Sequence, residues 1–339
     1  MSYSINPQQR PSVFLSIVFS FRNEADVLSE LVQRTRTVMN EAALKHLISG
    51  YQMIFVNDAS SDDSLPVLLR LSAGYKDICI INMSRVFGVA PCVMAGLAHA
   101  RGDAIVYMDA DLQDPPELII KMLENYLNNP QIDVVHTVRT SRKGESAFKL
   151  FITKIGYYIL NRYSSVPIPS EAGDFKLLSR RAVDYILQFK EINPFMRGIV
   201  AWVGFKQSFI SYNRDARFAG KSKFFVLGRK VISNFLNAAV INFSSVPLQI
   251  ASYCGLCSIL GDFLFVLYIL YQKWLGHTIS EGTVLMVVIL FIGGVQLFCL
   301  GMIGLYLNSA HEQTKMRPSY IIDSIYGFDD EQSSPSSQA

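Results

Sequence analysis

Cysteine is scarce in this chain: five thiols, Cys79, Cys92, Cys254, Cys257 and Cys299, three of them inside apolar stretches. An odd, scattered set argues against a disulfide framework and suits a reducing compartment. Cys254 and Cys257 have the spacing of a redox pair, but in apolar surroundings they read as small packing residues and are assigned no chemistry. An excess of one charge is missing too. Lys and Arg number 31 against 28 Asp and Glu, a net +3, so no global field points to nucleic acid and any basic function must be local. The opening residues, MSYSINPQQRP, lack the apolar centre of a signal peptide, and nothing in them directs the following domain across a membrane. No internal repeat is visible.

What is present falls into two populations. Half of the residues are hydrophobic, yet the charged ones crowd into the first two thirds of the chain. There, short apolar runs at residues 13–19, 53–56, 78–81, 105–108 and 134–138 read as buried parallel strands. Between them, 25–40, 64–72, 90–100 and 117–127 carry apolar residues at helical spacing, as does 180–189 further on. Strand and helix alternate, which predicts an α/β fold with a doubly wound, mostly parallel sheet. Ligands of such sheets bind beyond the carboxyl ends of the strands, and Asn57-Asp58 and Asp109-Ala110-Asp111 follow strands directly.

From Val246 the character changes. Residues 246–271 and 283–307 are each long enough to span a hydrocarbon core of about 30 Å, and together predict a two-helix transmembrane hairpin. Arg229 and Lys230 precede the first span, Lys315 and Arg317 follow the second, and the loop between has Lys273 as its firm cation. The positive-inside rule then puts both termini and the large domain in the cytoplasm, on the inner face of a multi-pass membrane protein. The expected domains are an N-terminal tail (1–10), a catalytic domain (11–220), a juxtamembrane amphipathic segment (221–245), the hairpin (246–307) and a polar tail (308–339). Asp262 sits mid-span, where it reads either as a contact to a lipid phosphate or as a protonated, interhelically bonded group that aids assembly.

The strongest local signal is GDAIVYMDADLQDPPE, residues 102–117. An apolar strand delivers Asp109 and Asp111 into an exposed turn, followed by Gln113. Hard oxygen ligands in this pattern suit a divalent ion that bridges a diphosphate. An acidic turn leading through Pro115 and Pro116 into the next helix is the other reading, and the pair of aspartates alone leaves both open. Asp58 likewise reads as a ligand contact or as an Asx turn, while Asp62 and Asp63 read as turn residues opening the next helix.

The longer run DADLQDPPE resembles the signature of family 2 glycosyltransferases of the dolichyl-phosphate mannose synthase and bactoprenol glucosyltransferase type. SIVFSFRNE from Ser16, IFVNDASSDDS from Ile54, SRVFGVAPCVMAGLAHARGD from Ser84, GDFKLLSRRAVD from Gly173, FMRGIVAWVGF from Phe195 and RFAGKSKF from Arg217 follow in the family's order and style. The resemblance implies a GT-A fold, with juxtamembrane helices leading into the hairpin. Glu24 and Asp58 would hold base and ribose, Asp109 would support the nucleotide-sugar, and Asp111 with Gln113 would bind magnesium or manganese. It puts Asp174 near the transferred sugar, where a carboxylate can bond hydroxyls or stabilise oxocarbenium character; a cap is its other reading. A phosphate acceptor needs placement rather than a strong base, and Arg139, Arg217, Lys221 and Lys223 are the candidates to grip it. Arg229 and Lys230, on an interfacial segment from 224 to 243, read equally as contacts to anionic lipid.

The implied reaction is inverting transfer of a hexose from a nucleotide-sugar to a polyprenyl phosphate, with UDP-glucose and undecaprenyl phosphate the best single choices. Membrane lipid is an expected partner, nucleic acid is not, and the spans offer a route to a homo-oligomer. Ser20 and Arg22 stand where the family usually has Pro and Tyr, Ala59 where it has Gly, and Val86 and Val89 where Asn and often Lys occur. A processive polysaccharide synthase would show more spans and a Gln-x-x-Arg-Trp motif, which are absent from the sequence. An inactive nucleotide-binding scaffold would fit Val86 and Val89 but not the intact Asp109, Asp111, Gln113 and Asp174.

Overall fold

The computed structural model describes residues 10–139, 172–192, 194–212, 246–275 and 280–328. The chain divides into two compact units, one holding the sheet and the segment from Pro318, the other the two long apolar helices.

The first unit is built on eight strands: β1 (Val13–Phe21), β2 (Ile48–Asn57), β3 (Ile78–Met83), β4 (Ala104–Asp109), β5 (Val134–Arg139), β6 (Ala172–Ser179), β7 (Gln207–Tyr212) and β8 (Ile322–Tyr326). They lie in the order β7-β5-β6-β4-β1-β2-β3-β8. The centre, β4-β1-β2-β3, is parallel, and there the strands are buried almost throughout, the run of apolar residues that two covered faces demand. β6 runs antiparallel between β4 and β5, and β8 antiparallel on β3. The five strands expected from apolar runs all form. β6, β7 and β8 are additions that those runs did not reveal.

Helices α1 (Ala25–Leu44), α2 (Ser64–Gly74), α3 (Val89–His99) and α4 (Leu118–Asn128) connect the strands in the expected places. Leu28 and Leu31 of α1 and Ile119 and Leu123 of α4 share a core with Leu15, Ile17, Phe19, Val106 and Met108. α3 packs on the opposite face, where Gly96 comes so close to Val18 that an added Cβ would lie 2.2 Å from a methyl carbon. Two short helices, α5 (Arg180–Ile186) and α6 (Met196–Trp202), follow β6. The sheet is therefore covered on both faces, as a doubly wound α/β fold requires.

In the second unit, α7 (Val246–Trp274) and α8 (Glu281–Thr314) are both long and apolar enough to cross a membrane. The Cys299 thiol donates to the Ala251 carbonyl at 3.2 Å, tying one helix to the other. The Asp262 side chain, the juxtamembrane segment and the tail from Asp329 lie outside the described residues. The stretch after 307 is not a polar tail throughout: α8 continues to Thr314, and β8 returns to the sheet because Ile322 and Ile325 can pair against β3.

Candidate active site

The parallel strands end together, which gathers the loops after β1, β2, β3 and β4 at one edge. Phe21 is level with Asn57, Asn57 with Asn82, and Ser20 with Asp109. Side chains then stitch the loops. Asn23 donates to Ser61 Oγ and accepts the Ser61 N–H, while Ser64 Oγ accepts the Glu24 N–H. Glu24 itself stands at the N-cap of α1, half-buried, without capping the helix through its side chain.

Asp58, 7% exposed, accepts the N–H of Phe87 at 2.7 Å and of Gly88 at 3.0 Å. Its carboxylate therefore organises the β3–α3 loop, at a glycine whose φ of 98° other residues rarely adopt. Val86 in that loop and Val89 at the start of α3 are exposed. Burial first, and then the Asp58 carboxylate, push the neighbouring Cys92 thiol well above its ordinary range, so it stays protonated. Asp62 is the turn residue expected, accepting from the Ser64 and Ala25 N–H groups. Burial alone would raise its carboxyl, but the bonds from Ser64 and Ala25 hold it below the usual range.

The acidic run departs from the expected exposed turn. Asp109 is the last residue of β4 rather than part of the turn, with Ser20 Oγ 3.4 Å away. Asp111 is only 9% exposed, between the buried Ala110 and Leu112. The chain folds back here because Leu112 adopts φ 54°, a strained setting for a branched residue, and the Gln113 N–H donates to Asp111 Oδ1 at 3.1 Å. Asp114 is fully enclosed and accepts from the Tyr212 hydroxyl, which ties this loop to the end of β7. Among the described residues no group of three or more His, Cys, Asp or Glu forms a ready-made metal cage. A carboxylate and an amide in one tight turn fit a hard ion that takes its remaining ligands from a diphosphate and water.

β6 brings the second acidic centre alongside. Tyr107 pairs with Lys176 across the antiparallel ladder, so Asp109 and Asp174, each two residues further towards the same end, lie on one face. Asp174 is not a cap. Arg197, from α6, grips it in a two-bond fork, Nε to Oδ1 at 2.9 Å and NH2 to Oδ2 at 2.7 Å. Arg197 and Lys176 were not singled out from the sequence. The available signal was the alternation in GDFKLLS, which puts Asp174 and Lys176 on one side and Phe175 and Leu177 on the other. Of the four basic candidates, Arg139 is seen only as backbone at the end of β5, opposite Tyr212, and Arg217, Lys221 and Lys223 lie outside the described residues.

Residues 16–187 match the model of Glycosyl transferase family 2. The uncharacterized glycosyltransferase YkcC of Bacillus subtilis is 39% identical over 93% of this chain and 94% of its own length. A prophage bactoprenol glucosyl transferase homolog of Escherichia coli is 34% identical over 81% and 88%, and the bactoprenol glucosyl transferase of Shigella phage SfX is 34% identical over 80% and 88%. Among solved structures, glucosyl-3-phosphoglycerate synthase from Mycobacterium tuberculosis is similar at 16% identity and a TM-score of 0.43, covering 66% of this chain and 77% of that one.

Proposed function

This chain belongs to glycosyl transferase family 2, and from that membership we propose that it transfers glucose from UDP-glucose to undecaprenyl phosphate at the cytoplasmic face of a membrane. The observation that carries the reading is a combination: relatives named bactoprenol glucosyl transferase align over four fifths of the chain, and the chain itself joins a family 2 domain at 16–187 to two membrane-length helices. The acceptor phosphate, largely dianionic at neutral pH, attacks the anomeric carbon of the donor, the bond to the nucleotide diphosphate breaks, and a lipid phosphosugar of inverted configuration forms.

In this reading Glu24 and Asp58 contact base and ribose, Asp109 supports the nucleotide-sugar, and Asp174, held by Arg197, faces the sugar. Asp111 and Gln113 would hold magnesium or manganese, which would supply positive charge to the diphosphate leaving group. Arg139, Arg217, Lys221 and Lys223 grip the acceptor phosphate. The rate gain comes from placement and electrostatics. Membranes containing the protein, incubated with a panel of labelled nucleotide-sugars and extracted with organic solvent, should yield labelled lipid from UDP-glucose, and EDTA should abolish it. Absence of lipid-linked product from every donor would reject the proposal.

A further inference from the structure

Lys176 lies on β6, between β4 and β5, with no measurable exposure. Its ammonium donates to the Tyr107 hydroxyl at 3.2 Å, and Asp174, the carboxylate two residues away on the same strand face, is forked by Arg197 instead. Enclosing an ammonium costs several kcal/mol, and one phenol is a poor replacement for water. Leucine or methionine would fill the position without that penalty. The groups around it explain what the charge does there. Tyr107 and Asp109 approach from β4, His136 from β5, Asp174 from β6 itself and Arg197 from α6. His136 is neutral, because burial and the Lys176 charge bring it down to about 3, opposed by its bond to Gln207. The face therefore balances two carboxylates against two cations. Without Lys176 it would be net negative where an anionic donor has to approach.

We infer that Lys176 is a positioning residue for transfer: its enclosed ammonium supplies a fixed positive charge beneath Asp109 and Asp174 that holds both carboxylates aligned for the nucleotide-sugar. The inference rests on the proposed function and deepens it. Burial draws the amine down to about 8, with Asp174 raising it and Arg197 lowering it, so it carries its proton at neutral pH and sheds it in mild alkali.

The test is Lys176→Met against wild type, full length, in detergent with UDP-glucose and a short-chain polyprenyl phosphate. A lysine that serves the site and not the fold gives a variant that melts no lower than wild type, since an enclosed charge has been replaced by a matching apolar stem. Its kcat/KM for UDP-glucose falls about tenfold to a hundredfold, while KM for the acceptor stays within about twofold. Wild-type kcat/KM for UDP-glucose falls above about pH 8, and the variant loses that limb. Wild-type turnover in the variant, a clearly lower melting temperature, or a wild-type profile flat through that range each overturns the inference. Calorimetric binding of UDP-glucose separates the two failures: a wild type that binds donor but makes no lipid product sinks the acceptor reading, and Lys176 is then judged on donor binding. A wild type that binds no UDP-glucose sinks the donor reading, and the melting comparison then decides.

Discussion

Arg197 and Asp174 meet through two parallel hydrogen bonds that only a planar guanidinium supplies. Arg197→Lys should therefore leave Asp174 turned away from its working position, and steady-state transfer should drop about tenfold to a hundredfold. Both side chains are about one third exposed, so the melting free energy should change by less than about 1 kcal/mol. Near-normal turnover in that variant would remove the fork from the site. Ala59 makes a different prediction. It sits in the left-handed region at φ 48°, where a Cβ is strained, immediately after Asp58. Ala59→Gly should stabilise the protein by roughly 0.5 to 1 kcal/mol in chemical denaturation, because glycine relieves the strain by more than it adds to unfolded-state entropy. A lower denaturation midpoint would show that the turn tolerates alanine without strain.

At the scale of elements, β8 is the clearest addition to what apolar patterning suggests. It covers the outer edge of β3, and an uncovered parallel edge strand is a template for unwanted pairing. Its far end depends on Gly327, at φ 77°, whose missing Cβ would lie 2.3 Å from the Ile78 carbonyl oxygen, while its own carbonyl accepts from the Cys79 thiol. Gly327→Ala should release β8 and expose amides of β3. Hydrogen exchange of residues 78–83 should accelerate while the amides of β1 keep their protection, and unchanged exchange in β3 would reject the dependence. Helices were legible for the opposite reason. In α1 and α4 the buried residues recur every three or four positions along a single segment, a pattern complete within the element itself.

For the whole molecule, the two long helices set the frame of the topology proposal. At 29 and 34 residues they extend about 43 and 51 Å, beyond a core of about 30 Å, so in the proposed topology each would project from the membrane or tilt within it. With the cations at 229, 230, 315 and 317 on the cytoplasmic side, a single cysteine at Ser280, in a background without the native thiols, should react with an impermeant maleimide on intact cells. A single cysteine at Asp323 should react only after permeabilisation. The reverse pattern would invert the proposed orientation.

The apolar strands at the centre of the sheet, the four connecting helices, the two long apolar helices and the Asp109–Gln113 run were all readable along the chain, since each signal is local: a periodicity, a length or a short motif. The tertiary structure decided what those segments meet. Lys176 bonds to a residue 69 positions away and Asn82 to one 241 positions away, and neither partner is encoded in the neighbourhood of the other. β6 is a strand interrupted by charge, so apolar patterning passes it by, yet its antiparallel insertion between β4 and β5 turns Asp174 and Lys176 towards Asp109 and Tyr107. Register and strand order set such pairings, and both arise only when the whole sheet assembles.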